Sequence, residues 1–210
     1  MLKILIADDH AIVREGLKQI LAEPADMVVA GEAANGQEVL ELVREKDFDL
    51  VLLDLAMPEK DGLDTLKELK LEKPNLPVLV LSIYPEEQYA VRVLKAGASG
   101  YLTKESAPDE LIAAIRKVSR KGKYVSQSLG EKLASYLTAD PDKPAHELLS
   151  DREYRVMLMI ASGKTVTEIA EAIFLSVKTI STYRVRALRK MGMKNNAEFA
   201  YYAIKHGLLE

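Results

Sequence analysis

The strongest constraint on the fold is an alternation within residues 1–122, where short runs rich in Val, Ile and Leu take turns with longer stretches whose apolar residues recur at helical spacing. The strand candidates are Leu2 to Ala7, Met27 to Ala33, Leu50 to Asp54, Val78 to Ser82 and Ser99 to Leu102. Between them, Ala11 to Leu21, Gln37 to Arg44, Leu63 to Leu71 and Glu87 to Lys95 carry helical periodicity. Asp109 to Arg120 follows, with Pro108 suited to a first helical turn. Strands separated by helices pair in parallel, because a parallel pair needs a crossover too long for a hairpin. The expectation is an α/β fold, a five-stranded doubly wound parallel sheet with helices on both faces.

In such a sheet, ligand chemistry gathers at the carboxyl ends of the strands. Asp8 and Asp9 close the first strand, Asp54 the third and Ser82 the fourth, while Lys104 follows the fifth. Three carboxylates brought together repel one another unless a cation lies among them, and hard oxygen ligands suit Mg²⁺. Mg²⁺ among carboxylates often serves phosphoryl transfer, where it neutralises charge on phosphate oxygens. Lys104 adds a second positive point and Ser82 a hydroxyl donor. Asp54 is the expected nucleophile, since it stands alone at its strand end while Asp8 and Asp9 can share the metal.

Composition narrows the remaining classes. The chain has no cysteine, which excludes disulfides, thiolate metal sites and cysteine nucleophiles. Its one N-terminal apolar run ends in acids after about five residues, against the roughly 18 a membrane span needs, so a cytoplasmic protein with no membrane partner is expected. Charge is divided unevenly. Residues 1–149 hold 19 Lys+Arg against 26 Asp+Glu, a net of −7, and residues 150–210 hold 10 against 6, a net of +4. A polyanionic partner is thus expected for the C-terminal part alone.

Four fragments in order, ILIADDH, VLLDLAMPEKDG, VLVLS and GASGYLTK, resemble the receiver domain of two-component response regulators, a flavodoxin-like fold, over residues 2–121. The resemblance implies that Asp54 is the phosphoacceptor of a cognate histidine kinase. It implies Asp9 and Asp54 as direct Mg²⁺ ligands, Asp8 acting mainly through water, and a further ligand in the backbone carbonyl of Ala56. It also implies a phosphoryl contact from Ser82, a salt link from Lys104, rotamer switching of Tyr101, and a loop shaped by Pro58 and Gly62. Two residues past Asp54 stands Ala56, with no side chain to position water, and two past Ser82 stands the bulky Tyr84. Slow self-dephosphorylation is expected.

After Gly122 the periodicity loosens. Leu129, Leu133 and Leu137 could line a short helix, and Asp140 to His146, with Pro141 and Pro144, has the composition of a linker. From Leu148 onward four helices are expected, at Asp151 to Ala161, Val166 to Ile173, Val177 to Met191 and Ala197 to His206. The expected domains are a receiver over 1–122, a linker over 123–147 and an all-α domain over 148–210.

The 26 residues from Ala172 to Ala197 contain no acid, where the chain's overall frequency predicts about four, and they carry Lys178, Arg184, Arg186, Arg189, Lys190 and Lys194. DNA phosphates suit that charge. On a helix, Lys178, Ser181, Thr182, Val185 and Arg189 share one face, with Ile180, Ala187, Leu188 and Met191 turned inward. Short polar side chains flanked by basic ones allow close approach to a major groove. Phe174, Leu175 and Ser176 form a three-residue turn between the second and third helices, which is helix-turn-helix spacing.

Residues 149–204 resemble a LuxR-type DNA-binding domain, and with the receiver the chain resembles a NarL/FixJ-group regulator. The resemblance implies that Lys178, Ser181, Thr182 and Val185 face bases, while Thr179, Tyr183, Arg184, Arg186 and Arg189 lie nearer phosphates or the core. Tyr183 stands where the family commonly has histidine. Phe199, Tyr202 and Ala203 form one apolar stripe, by default a packing face, and the resemblance makes part of that helix a dimer contact on an inverted repeat of double-stranded DNA.

The function expected is a phosphorylation-controlled transcriptional regulator, not an enzyme, whose homodimer is promoted by phosphorylation. Two alternatives stand beside it: a transcription factor whose receiver serves only protein contacts, and a Mg²⁺-dependent aspartyl phosphatase. The phosphatase is disfavoured, since its nucleophile motif ends the first strand as Asp-x-Asp, whereas here that strand ends Asp8, Asp9, His10.

Overall fold

The computed structural model describes residues 1–57, 60, 62–126, 129, 130 and 144–209. Pro58 and most of the leucine-lined stretch after Gly122 lie outside them. The chain divides into two compact units, Met1–Leu133 and Ala134–Glu210.

The N-terminal unit is a parallel sheet of five strands in the order β2-β1-β3-β4-β5. Its elements alternate as β1 (Leu2–Ala7), α1 (Ala11–Ala22), β2 (Met27–Ala33), α2 (Gly36–Glu45), β3 (Leu50–Leu53), α3 (Gly62–Glu72), β4 (Val78–Ser82), α4 (Glu86–Lys95), β5 (Gly100–Thr103) and α5 (Pro108–Ser119). The doubly wound α/β expectation is met, with boundaries displaced by a residue or so: β3 stops one residue short of Asp54 and β5 begins at Gly100. All four β3 residues and all five of β4 are buried. Such unbroken apolar runs mark strands covered on both faces. Ile4, Ile6, Leu50, Leu52, Leu79 and Leu81 pack on Leu111, Ile115 and Val118 of α5, and on Leu17 and Leu21 of α1. Each fully buried side chain of this kind contributes about 1.5–3 kcal/mol.

The C-terminal unit is helical: a 3₁₀ turn at Ala145–Leu148, then α6 (Asp151–Ala161), α7 (Val166–Ala172), α8 (Val177–Met191) and α9 (Asn196–Lys205). Its helix starts follow from their caps. Ser150 and Thr165 each form a capping box, with Glu153 and Glu168 respectively, and Ser176 and Asn195 accept from the third residue of α8 and α9. Among the described residues no helix is long and apolar enough to cross a membrane.

Candidate functional site

Register places the acids. Ala7 on β1 pairs with Leu53 on β3, and the ladder continues one residue further, the Asp54 amide donating to the Ala7 carbonyl at 2.9 Å. The Asp8 amide donates to Ala33 at 3.1 Å, and on the other side the Lys104 amide donates to Ser82 at 2.8 Å. Asp8, Asp54, Ser82 and Lys104 are therefore fixed by backbone hydrogen bonds at one end of the sheet.

The side chains meet there. Lys104 Nζ lies 2.6 Å from Asp8 Oδ2 and 2.7 Å from Asp54 Oδ2. Asp8, Asp9, His10 and Asp54 each bring a ligand atom within 4.8 Å of the others. Asp8, Asp54 and Ser82 are buried. Burial pushes the Asp54 carboxyl above its ordinary value, with Lys104 opposing and Asp8 reinforcing. Burial alone would lower the Lys104 ammonium, but Asp54 and Asp8 hold it above its usual value.

Two buried oxygens, Asp9 Oδ1 and Asp54 Oδ1, have no hydrogen-bond partner among the described residues. His10 Nδ1 approaches Asp9 Oδ1 to 2.8 Å, close enough for charge pairing if the imidazole is protonated but not aligned as a hydrogen bond. Carboxylates with free oxygens in a cluster this tight fit a hard divalent cation. Gly62 lies against the backbone of the Asp54 strand end: a Cβ there would fall 2.1 Å from the Asp54 carbonyl oxygen and 2.6 Å from Leu55 Cα, so only glycine lets α3 start this close. Ala56, the expected carbonyl ligand, is half-buried.

Tyr101 is buried, and its hydroxyl donates to the Tyr84 carbonyl at 2.7 Å. Burial drives its phenol well above the ordinary range. The Tyr84 amide donates to Ser82 Oγ at 3.3 Å, and the Tyr84 ring stacks on Tyr89 of α4 at 4.8 Å. Sequence reasoning passed over His10 and Arg14. His10 opens α1 beside the acids, and Arg14, one turn on, donates to the Asp8 carbonyl at 2.7 Å and pairs with Glu32. Their signal was position alone, an imidazole at the N-cap and a guanidinium in the first turn after an acid pair.

In the C-terminal unit, Phe174 turns the chain between α7 and α8 at φ +54°, and Ser176 caps α8. Ile180, Ala187 and Met191 are buried, whereas Lys178, Thr182, Val185, Arg186 and Arg189 are exposed. Ser181, Thr179, Tyr183 and Arg184 are half-buried. The exposed face thus carries short and basic side chains around Val185, which is 58% exposed. Several polar groups are already engaged: Thr182 Oγ1 donates to Lys178 at 2.9 Å, Thr179 Oγ1 shares a hydrogen bond with Ser176 at 2.8 Å, and Arg184 Nε donates to Asn196 at 2.6 Å. Lys190 is held by the buried Glu153 at 2.6 Å, so this charge of the basic window braces α8 against α6. On α9, Phe199 and Ala203 are buried and Tyr202 bonds to His146 at 2.9 Å, while Tyr201 and Ile204 are exposed.

A doubly wound sheet with a lysine-bridged acid cluster, followed by a capped helix-turn-helix, defines a response regulator. Residues 4–116 match the family described as the response regulator receiver domain, and residues 147–203 match the bacterial regulatory proteins of the luxR family. The chain belongs to the NarL/FixJ-group response regulators, which join these two domains. Over 212 residues it is 36% identical to the response regulator GacA of Pseudomonas aeruginosa, covering 100% of this chain and 99% of that one. It is 34% identical to the response regulator UvrY of Escherichia coli, covering 99% and 96%. A solved structure of RcsB from Salmonella enterica serovar Typhimurium, bound to promoter rprA in the presence of the phosphomimetic BeF3−, is similar at 29% identity and a TM-score of 0.67, over 96% of this chain and 97% of that one. The present chain is accordingly a phosphorylation-controlled DNA-binding regulator of transcription.

Proposed function

We propose that Asp54 accepts a phosphoryl group from a cognate histidine kinase and that this controls DNA binding by α8. The observation that carries the assignment is Asp54 Oδ1: buried, without a partner among the described residues, on a carboxylate whose other oxygen is neutralised by Lys104. In the transfer, an Asp54 oxygen bonds to phosphorus as the donor's phosphorus–nitrogen bond breaks and the imidazole leaves with the electron pair. Asp9, Asp54 and the Ala56 carbonyl would hold Mg²⁺, with Asp8 acting through water. The metal's chemistry, when bound, is charge neutralisation on the phosphoryl oxygens. Ser82 Oγ donates to one new oxygen, and Lys104 exchanges its Asp54 contact for another.

The receiver would span 1–122 and the DNA-binding domain 148–210, joined by 123–147. Lys178, Ser181, Thr182 and Val185 would meet base edges, and Arg186 and Arg189 phosphates, with Thr179, Tyr183 and Arg184 at the margin. RcsB is described bound to promoter DNA, and as two dimers on two parallel DNAs. A phosphorylation-promoted homodimer on an inverted repeat follows by analogy, with the exposed Tyr201 and Ile204 of α9 available as a dimer contact. Such a protein acts on cytoplasmic DNA, as a regulator and not an enzyme. The test is sedimentation and operator binding with and without a small phosphodonor in Mg²⁺. Dimer population and affinity rise in the wild type and not in Asp54→Ala; equal behaviour would favour a receiver used only for protein contacts.

A further inference from the structure

The chain does not leave the receiver where α5 ends. Lys121 turns it at φ +64°, and Gly122 follows with its amide donating to Lys117 at 3.1 Å; a Cβ on Gly122 would lie 2.7 Å from the Lys117 carbonyl oxygen. The next residues then run back along the sheet's outer strand. The Tyr124 amide donates to Ser99 at 2.8 Å, and Tyr124 forms a parallel bridge with Gly100, the first residue of β5. Lys123 Nζ donates to the Ala98 carbonyl at 2.6 Å, Tyr124 hydroxyl to Glu110 of α5 at 2.8 Å, and Ser126 Oγ to Glu86 in the first turn of α4 at 2.5 Å. The Tyr124 side chain packs on the receiver core, and Leu129 beyond it is buried. Gly100 has no side chain to keep this segment away: a Cβ there would meet the Tyr124 carbonyl oxygen at 2.8 Å.

We propose that residues 123–126 are an output strap, whose hold on β5 and α4 loosens when Asp54 is phosphorylated. The proposal rests on the reading of Asp54 as phosphoacceptor. Its basis is that the strap grips the same two elements to which the site is wired. Ser82 Oγ accepts from the Tyr84 amide, and the Tyr84 carbonyl accepts from Tyr101, the β5 residue next to Gly100. The Tyr84 ring stacks on Tyr89 of α4, one turn from Glu86. Drawing Ser82 toward a phosphoryl oxygen strains its contact with Tyr84. Tyr84 then shifts both the Tyr101 hydroxyl on β5 and the ring stack on α4, and Tyr124 and Ser126 lose register with their partners. An element with two arrangements, biased from the site and continuous with the linker, is the physical requirement for carrying the signal onward.

Hydrogen exchange of the full chain, read on a peptide holding the Tyr124 amide, tests this with and without a phosphodonor in Mg²⁺, alongside intact mass. The expected result is a mass gain accompanied by exchange roughly threefold or more faster at Tyr124, with neither change in Asp54→Ala. Tyr124→Phe keeps the ring and removes the bond to Glu110; it is expected to speed exchange without the phosphodonor and to raise basal operator affinity severalfold. A gain in mass with unchanged exchange at Tyr124 overturns the strap while leaving Asp54 as phosphoacceptor. Absence of any gain in mass overturns the assignment of Asp54 and the strap with it.

Discussion

Lys104 Nζ sits 2.7 Å from one carboxylate oxygen of Asp54, while the other oxygen of the same group is buried without a partner among the described residues. The carboxylate is thus half neutralised and half open. Lys104 also reaches Asp8, so a single ammonium bridges two buried acids.

Lys104→Met leaves Asp8 and Asp54 facing each other uncompensated, and removing one partner of a buried pair costs about 3–5 kcal/mol. The receiver's melting temperature is expected to drop without Mg²⁺ and to recover more on adding Mg²⁺ than the wild type gains. Thermal unfolding of both proteins with and without the ion measures it; an equal Mg²⁺ response would show that lysine and metal do not share a site.

Asp54 carries a carboxyl whose folded value is raised, chiefly by burial. A raised carboxyl binds more protons folded than unfolded, so its ionisation opposes folding once pH exceeds the folded value, and the cost is relieved as pH falls through it. Asp54→Asn removes that cost and is expected to stabilise the receiver at neutral pH, with the gain vanishing below the unfolded carboxylate range. Urea unfolding at pH 3 and pH 7 decides it; destabilisation at pH 7 contradicts the sign.

Tyr84 stands two residues beyond the buried Ser82, its ring fixed on Tyr89. Ala56 offers no side chain to place water. Slow self-dephosphorylation is therefore expected, and Tyr84→Ala should open the approach and speed decay roughly tenfold. Decay of isolated phosphoprotein in Mg²⁺ measures the rate; an unchanged rate removes Tyr84 as the shield.

Glu153 is buried between α6 and α8. Burial alone would raise its carboxyl, but Lys190 and the bonds from Ser150 hold it below its ordinary value. A depressed carboxyl contributes stability above the unfolded value, and that contribution is lost as pH falls through the folded one. Because Lys190 is more than a third exposed, Glu153→Gln is expected to cost only about 1–2 kcal/mol at pH 7 and almost nothing at pH 3. Denaturant melts at the two pH values check it; a loss that does not depend on pH points to the capping box instead.

The receiver was legible in the sequence because each strand end carries its own chemistry, so Asp8, Asp54, Ser82 and Lys104 could be ordered before any register was known. The faces of α8 were legible for a related reason: Ile180 and Ala187 repeat at helical spacing while no acid interrupts the basic side. Other features depended on distance in space. Nothing in the spacing of Lys190 and Glu153 announces that they meet, nor that Arg14 reaches the Asp8 carbonyl. Tyr124 belongs to a stretch whose apolar pattern is too irregular for a strand, and the open edge of β5 gives its backbone a partner.

Phosphorylation of Asp54 is read directly by mass spectrometry of the intact chain after exposure to a small phosphodonor in Mg²⁺, with Asp54→Ala treated alongside. The wild type is expected to gain one phosphoryl group, labile as an acyl phosphate is, and the variant none. Equal labelling of both proteins, or of neither, would contradict it.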